Sequence, residues 1–340
     1  MQLKKIVPVV AASAMVLALA GCSAPASNTS NSSASSNASS SSSSSSSRLN
    51  FVTGGSTGTY YAVGGVIANQ VTNNTDFNVT SLEGNGSKAN VDALQDNEDQ
   101  IAFCQSDVMA YAYEGTNLFK DSGKVDCFSV VAALYDEQVQ IVTTDPDIKT
   151  VADLKGKRVS IGAAGSGVYF NAIDILGAYD ITEADITPTY QSFGDSADAL
   201  KNGQIDAAFI VAGAPTTAIT DLSTSKQAYL VSLDDEHVTK LLASSPYYSK
   251  ATIAAGTYTG IDTDTITVAV NAVILARNDV SEDAVYAMCS QIFDNLDTLS
   301  GQHAKFKEMS LEKAASVTSV PYHAGAAKYF TEKGLTVSTK

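Results

Sequence analysis

The feature that most constrains the fold is a repeated unit: a short apolar run rich in β-branched residues, a polar turn with glycine or serine, then a helix-periodic stretch. Arg48 to Thr53 predicts a strand that ends in Gly54-Gly55-Ser56-Thr57-Gly58-Thr59-Tyr60. Beyond it, Tyr61, Val63, Val66, Ile67 and Val71 recur near a helical period. Phe77 to Leu82 predicts a second strand, Ser87 to Gln95 a helix with Ser87 as its candidate cap, and Gln100 to Cys104 a third strand. Gln105-Ser106-Asp107 then leads into another helix. The pattern restarts with two strands, Phe128 to Leu134 and Val139 to Thr143, followed by a short helix at Val151 and a strand at Arg158 to Gly162. Ala163-Ala164-Gly165-Ser166-Gly167 precedes a helix through Leu176. Thr189 to Phe193 is a strand, Ser196 to Asn202 a helix, and Ile205 to Val211 a strand before Gly213-Ala214-Pro215. Such alternation predicts a parallel α/β sheet. Two successive α/β units with no break in composition predict two lobes. Thr265 to Leu275 is a long β-branched run that crosses back, and Ser281 to Leu299 is helical. The expected course is therefore 49–137 in lobe one, 138–264 in lobe two, and 265–340 returning to lobe one, with two crossing segments forming a hinge.

The N-terminus carries a separate message. Lys4 and Lys5 precede a mostly apolar stretch from Ile6 to Leu19, which is short for a spanning helix. Leu19-Ala20-Gly21-Cys22 resembles the bacterial lipobox, which implies cleavage after residue 21 and acylation of Cys22. The expectation is a signal peptide at 1–21 and a lipid-anchored, extracytoplasmic protein. Residues 22–48 are nearly all Ser, Asn, Ala and Thr up to Ser47. They offer too little apolar surface to offset chain entropy, so a disordered tether is expected.

Composition excludes several function classes. With 21 basic against 36 acidic residues, the chain has a net charge of −15, which argues against nucleic acid and against broad contact with anionic lipid. His237, His303 and His323 are scattered and no Cys-x-x-Cys pair occurs, so no metal site and no cofactor are expected. Cys104, Cys127 and Cys289 remain once Cys22 is acylated. Cys104 and Cys127 are either a disulfide or two buried small hydrophobes.

Four turns sit where strands end and helices begin, the place where open α/β sheets bind ligands. In Gly54 to Tyr60 the glycines admit close approach, and backbone N–H groups with the hydroxyls of Ser56 and Thr59 suit a carboxylate or phosphate. The alternative is a tight turn with an ordinary N-cap. Gln105-Ser106-Asp107 offers an amide, a hydroxyl and a carboxylate; the alternative is helix capping. Gly165-Ser166-Gly167 is a second donor-rich turn that lacks the lysine and the spacing of a P-loop. Gly213-Ala214-Pro215 is the fourth, although proline there also has a purely structural reading. Tyr60, Tyr61, Tyr135 and Tyr190 are candidate walls, and Glu137 a candidate ammonium partner or hinge contact. Gly54 to Gly58 also matches Gly-x-Ser-x-Gly, which raises a hydrolase with Ser56 as nucleophile.

Gly54-Gly-Ser-Thr-Gly-Thr-Tyr-Tyr61, Gln105-Ser-Asp107, Asp153-Leu-Lys-Gly-Lys-Arg-Val-Ser-Ile-Gly162, Gly165-Ser-Gly167 and Val320-Pro-Tyr-His-Ala-Gly-Ala-Ala-Lys-Tyr-Phe330 together resemble the TAXI class of substrate-binding proteins of TRAP transporters. The resemblance spans roughly residues 49 to 335. It implies a type II periplasmic-binding-protein fold with a ligand cleft between the lobes and no enzymatic activity. It implies capture of an amino acid or small carboxylate resembling glutamate or glutamine, and delivery to an ion-gradient-driven integral-membrane permease. The receptor is expected to be a monomer. Carried over by position, the ligand-facing candidates are Ser56, Thr59, Tyr60, Gln105, Ser106, Ser166 and Gly167, with Asp107 and Pro215 beside them. Where the family often has proline after the histidine, this chain has Ala324. The other large TRAP receptor class is known for an arginine that clamps the ligand carboxylate. Here the only arginines are Arg48, Arg158 and Arg277, so anion binding through N–H and hydroxyl groups is expected. A binding lipoprotein of an ABC importer or a sensor system shares the same fold and is the alternative.

Overall fold

Two strands, Phe128–Thr143 and Thr265–Arg277, organise the molecule. At about 3.3 Å per residue the first is roughly 50 Å long, enough to run through two layers of core. The computed structural model describes residues 48–340. The expected signal peptide, Cys22 and the tether to residue 47 lie outside the described residues.

In chain order the first elements are β1 (Arg48–Val52), α1 (Thr59–Asn74), β2 (Asn78–Leu82), α2 (Ser87–Gln95), β3 (Ile101–Gln105) and α3 (Ser106–Glu114). Next come β4 (Phe128–Thr143), β5 (Arg158–Ser160), α4 (Val168–Ala178), β6 (Thr187–Thr189), α5 (Phe193–Lys201), β7 (Ala207–Ala212) and α6 (Thr217–Ser225). They are followed by β8 (Tyr229–Leu230), α7 (Asp235–Ser244), β9 (Ser249–Ile253) and β10 (Thr265–Arg277). Helices α8 (Glu282–Phe293), α9 (Leu296–Ser300), α10 (Leu311–Ala314) and α11 (Ala324–Glu332) close the chain.

The strands run in the order β2-β1-β3-β10-β4-β7-β5-β6, with β9 on β10 and β8 on β4. Near its start, β4 pairs with the end of β10 beside β3; its last six residues pair with β7. The first half of β10 pairs with β9, so both long strands belong to both lobes. This two-lobe α/β fold is the one expected. The sheet, however, is mixed. β1, β2 and β3 are parallel, as are β5, β6 and β7, but β10 is antiparallel to β3 and β4, and β4 is antiparallel to β7. A strand that returns directly between lobes, without a covering crossover helix, must enter antiparallel.

Each lobe has its own interior. In lobe one, Phe51, Phe103, Val131, Ile274, Met288 and Phe330 belong to one apolar cluster. In lobe two, alternation along β4 and β7 splits the side chains between two faces. Val139, Ile141, Phe209 and Val211 join the α4 side, while Val142, Ala208, Ile210 and Ala212 join the α5–α6 side.

Other local expectations change. The two strands expected at 128–134 and 139–143 are one, because the polar run Asp136-Glu137-Gln138 continues as strand through the crossing. Phe193 opens α5 and does not end a strand: Ser192 Oγ accepts from Asp195 N–H and starts the helix early. Gly86 is the N-cap of α2, and Ser87 is its first helical residue. The helix expected over 281–299 breaks after Phe293 into α8 and α9. Cys104, Cys127 and Cys289 are free thiols.

Candidate functional site

Between the lobes lies a cavity of about 200 Å³. Its wall is built from the carboxyl ends of strands and the turns that follow them, which is why donors concentrate there. Lobe one contributes Gly54, Gly55, Gly58, Thr59 and Tyr60 after β1, Glu83 to Ser87 after β2, and Gln105 at the end of β3. Lobe two contributes Ala163, Ser166 and Gly167 between β5 and α4, Val168 at the start of α4, Gln191 and Ser192 before α5, Phe193 at its start, and Val211 and Ala212 of β7. Glu137, from the crossing part of β4, completes it.

Three helices begin at this wall without a side-chain cap: α1 after Gly58, α2 after Gly86 and α4 after Gly167. Their first N–H groups have no intrahelical acceptor, and each carries the positive end of a helix dipole. No lysine, arginine or histidine lines the cavity among the described residues, so these helix starts are its main positive potential. The close approach of the lobes depends on two glycines. Gly86 has φ +102°, and a Cβ there would lie 3.2 Å from Ser166 Cα. A Cβ on Gly167 would fall 1.6 Å from Gln105 Oε1, well inside contact distance.

Several buried polar atoms facing this region have no hydrogen-bond partner among the described residues: Tyr60 Oη, Glu137 Oε1 and Ser166 Oγ. Buried polar groups in native proteins are almost always paired, so these three atoms are open to a polar partner in the cavity. Tyr60 is held by its ring, which stacks on Phe103 at 4.5 Å between centroids. Burial pushes its hydroxyl far above the ordinary tyrosine range, so it is a neutral donor. Burial also pushes the Glu137 carboxyl up to about 8, against the opposing pull of Lys305, the Gly213 backbone and Tyr135.

Beside the cavity, side chains bridge the lobes. Gln105 Nε2 donates to Asn171 Oδ1 at 2.6 Å, and Asn171 Nδ2 donates to Asp107 Oδ2 at 3.0 Å and to Tyr248 Oη at 2.9 Å. Tyr248 Oη donates to Asp174 at 2.9 Å. Ala89 N–H donates to Gly165 O at 2.9 Å, and Thr59 Oγ1 to Gly213 O at 2.8 Å. The lobes are thus closed on one another around the cavity.

Of the residues singled out from sequence, Thr59, Tyr60, Gln105, Ser166 and Gly167 line the cavity. Ser106, Asp107, Ser56 and Pro215 do not. Ser106 Oγ accepts from Asn271 N–H, and Asp107 is fully buried on Asn171. Ser56 is exposed, with its N–H on Glu83, and no histidine among the described residues hydrogen-bonds to it. Pro215 is exposed, ahead of α6. His237 binds Asp234, while His303 and His323 accept backbone N–H groups at helix starts. Tyr190 is half exposed and lines an outer depression that shares Asn85, Ala163, Gln191 and Ser192 with the cavity. Sequence reasoning missed the Glu83-Gly84-Asn85-Gly86 turn and the Gln191-Ser192-Phe193 turn. The first had a positional signal, since it follows the strand predicted to end at Leu82 and precedes a helix; the second was hidden inside the strand predicted over Thr189 to Phe193.

Comparison with solved structures places the architecture. A protein of Bordetella bronchiseptica RB50 superposes with a TM-score of 0.52 at 14% identity, covering 84% of this chain and 89% of that one. The alkanesulfonate-binding protein SsuA of Xanthomonas axonopodis pv. citri gives 0.48 at 15% identity, over 84% and 91% of the two chains. The substrate-binding protein of an amino acid ABC transporter gives 0.43 at 15% identity, over 76% and 96%. At 14% identity the likeness to the Bordetella protein is one of fold. The sequence itself matches the NMT1-like family over residues 51–334. By that match, which takes in both lobes and the whole cavity wall, the chain belongs to the NMT1-like family.

Proposed function

We propose that this chain is the extracytoplasmic solute-binding receptor of a membrane importer, and that it captures an amino acid or small carboxylate in the cavity between its lobes. The observation that carries this reading is the convergence of three uncapped helix starts and three unpartnered buried polar atoms on one cavity between the lobes. Helix starts favour an anionic group. The volume, below the roughly 300–1,000 Å³ of drug-sized sites, favours a small solute. Two lobes joined by the two crossing strands β4 and β10 form a hinge able to open and admit it. The motifs described above favour a TRAP permease of the TAXI class as partner, with an ABC importer as the alternative, and anchoring through Cys22.

Calorimetric titration with amino acids and dicarboxylates tests the reading. One or more should bind with one-to-one stoichiometry, and Ser166→Ala should weaken binding by about 1–3 kcal/mol, the cost of one lost buried hydrogen bond. Absence of binding across the panel, or affinity untouched by Ser166→Ala, would refute it. For the partner, co-purification of the acylated protein with a permease from native membranes decides: an ATPase in the complex would favour the ABC alternative.

A further inference from the structure

The electrostatics of the cavity are lopsided. Helix starts supply positive potential, but the buried charged side chain in the wall is acidic. Glu137 is 2% exposed, and its Oε1 has no hydrogen-bond partner among the described residues. It sits on β4 with Tyr135 and Asp136 as strand neighbours. It is faced by Tyr60 from α1 and by Lys305 from the short helical turn after α9. Lys305 is nearly as buried, but its Nζ is committed to Glu308 at 2.6 Å, and His303 beside it accepts the Lys305 backbone N–H. Asp136 is likewise committed, to Lys313. Among the described residues no cation is hydrogen-bonded to Glu137: the charge of Lys305 opposes the rise that burial imposes, but its Nζ is committed to Glu308. A buried carboxylate without a bonded counter-charge is costly, and the group meets that cost by holding a proton while no solute is bound. A solute that brings its own cation removes the need for it.

We infer that a protonated amine on the solute docks on Glu137, and that capture expels the proton this carboxyl carries in the empty site. The inference rests on the reading of the cavity as a solute site. The exchange is balanced: the Glu137 O–H bond breaks, its proton passes to solvent, and the resulting carboxylate accepts N–H bonds from the ammonium. Burial raises the carboxyl to about 8, so the protonated form predominates at pH 7. A neutral donor such as a hydroxyl would leave the proton in place.

The test uses the purified full chain and L-glutamate, L-glutamine and glutarate, the last matching glutamate without its amine. Calorimetry at pH 7 in buffers of different ionisation enthalpy reads the protons exchanged. The two amino acids should bind with close to one proton released. Glutarate should bind at least tenfold more weakly, with none. Glu137→Gln should abolish the proton release and weaken the amino acids at least tenfold, with glutarate little changed; thermal melting verifies that the variant folds. Amino-acid binding that is independent of buffer, or unaffected by Glu137→Gln, would overturn the inference and leave the receptor reading standing. If none of the three binds, the receptor reading for this solute class fails and the inference falls with it. A readout without solute is also available. The infrared difference between native protein and Glu137→Gln at pH 7 should contain a protonated-carboxyl band that disappears near pH 9, and its absence at pH 7 would overturn the inference.

Discussion

Removing Asn171 should release the lobes. Its amide is fully buried, and it is the node at which lobe two meets Gln105 and Asp107 of lobe one. Two of its three hydrogen bonds cross between lobes; the third, to Tyr248, stays within lobe two. In the open state water satisfies Gln105 and Asp107, so each bridge contributes its net value: about 1 kcal/mol for the neutral Gln105 bond and about 1.5–3 kcal/mol for the bond to a carboxylate. Asn171→Ala should therefore cost the closed state about 2.5–4 kcal/mol, or roughly 70- to 900-fold in the closing equilibrium. Most of this should appear as faster solute release, because closure is what retains the solute. Stopped-flow tyrosine fluorescence reads the rate directly, since the chain has 15 tyrosines and no tryptophan. Tyr248→Phe is the control: it removes two bonds, to Asn171 and Asp174, neither of which crosses between lobes, and the release rate should change by less than about threefold. Equal release rates for native protein and Asn171→Ala, with both folded, would refute the latch.

Other consequences follow from the same geometry. Gly167→Ala places a methyl group on Gln105 Oε1, so solute affinity should fall at least tenfold while lobe melting changes little; unchanged affinity would contradict the close approach. Asp107 and Glu137 both have folded-state values raised by burial, to about 7 and about 8, above the unfolded values near 4. The native state then holds more protons than the unfolded one, so stability is full at low pH and falls by about 1.4 kcal/mol per unit per group as pH rises toward those values. The melting temperature should drop between pH 5 and pH 8, and Asp107→Asn should flatten part of that slope; a flat native profile would count against the burial argument. Lys305→Met removes a positive charge that pulls the Glu137 carboxyl down, and the carboxyl should titrate at higher pH in infrared spectra.

Much of the fold was legible because apolar periodicity carries it. β3 is buried at every position and flanked by polar turns, so it reads as a strand without ambiguity. The interior of β4 was hidden because Asp136-Glu137-Gln138 has the composition of a turn, yet Asp136 pairs with Lys313, Glu137 lines the cavity, Gln138 accepts from Ala214 N–H, and the backbone stays extended. The helix α7 was missed because only Val238 and Leu241 are buried along it; its signal was the Asp234 cap, followed by acidic residues in the first turn. In the site, glycine- and serine-rich turns pointed to the wall. Asn171, Tyr248 and Asp174 gave no such sign, since each lies in a stretch where a polar side chain is matched only by partners more than sixty positions away or on the other lobe.

The most direct measurement is a crystal structure of the protein grown with a solute that binds in calorimetry. Density for that molecule should fill the space bounded by Tyr60, Gln105, Glu137 and Ser166, touching both lobes at once. Ordered water alone in that space, with the solute bound on an outer face of one lobe, would contradict capture between the lobes.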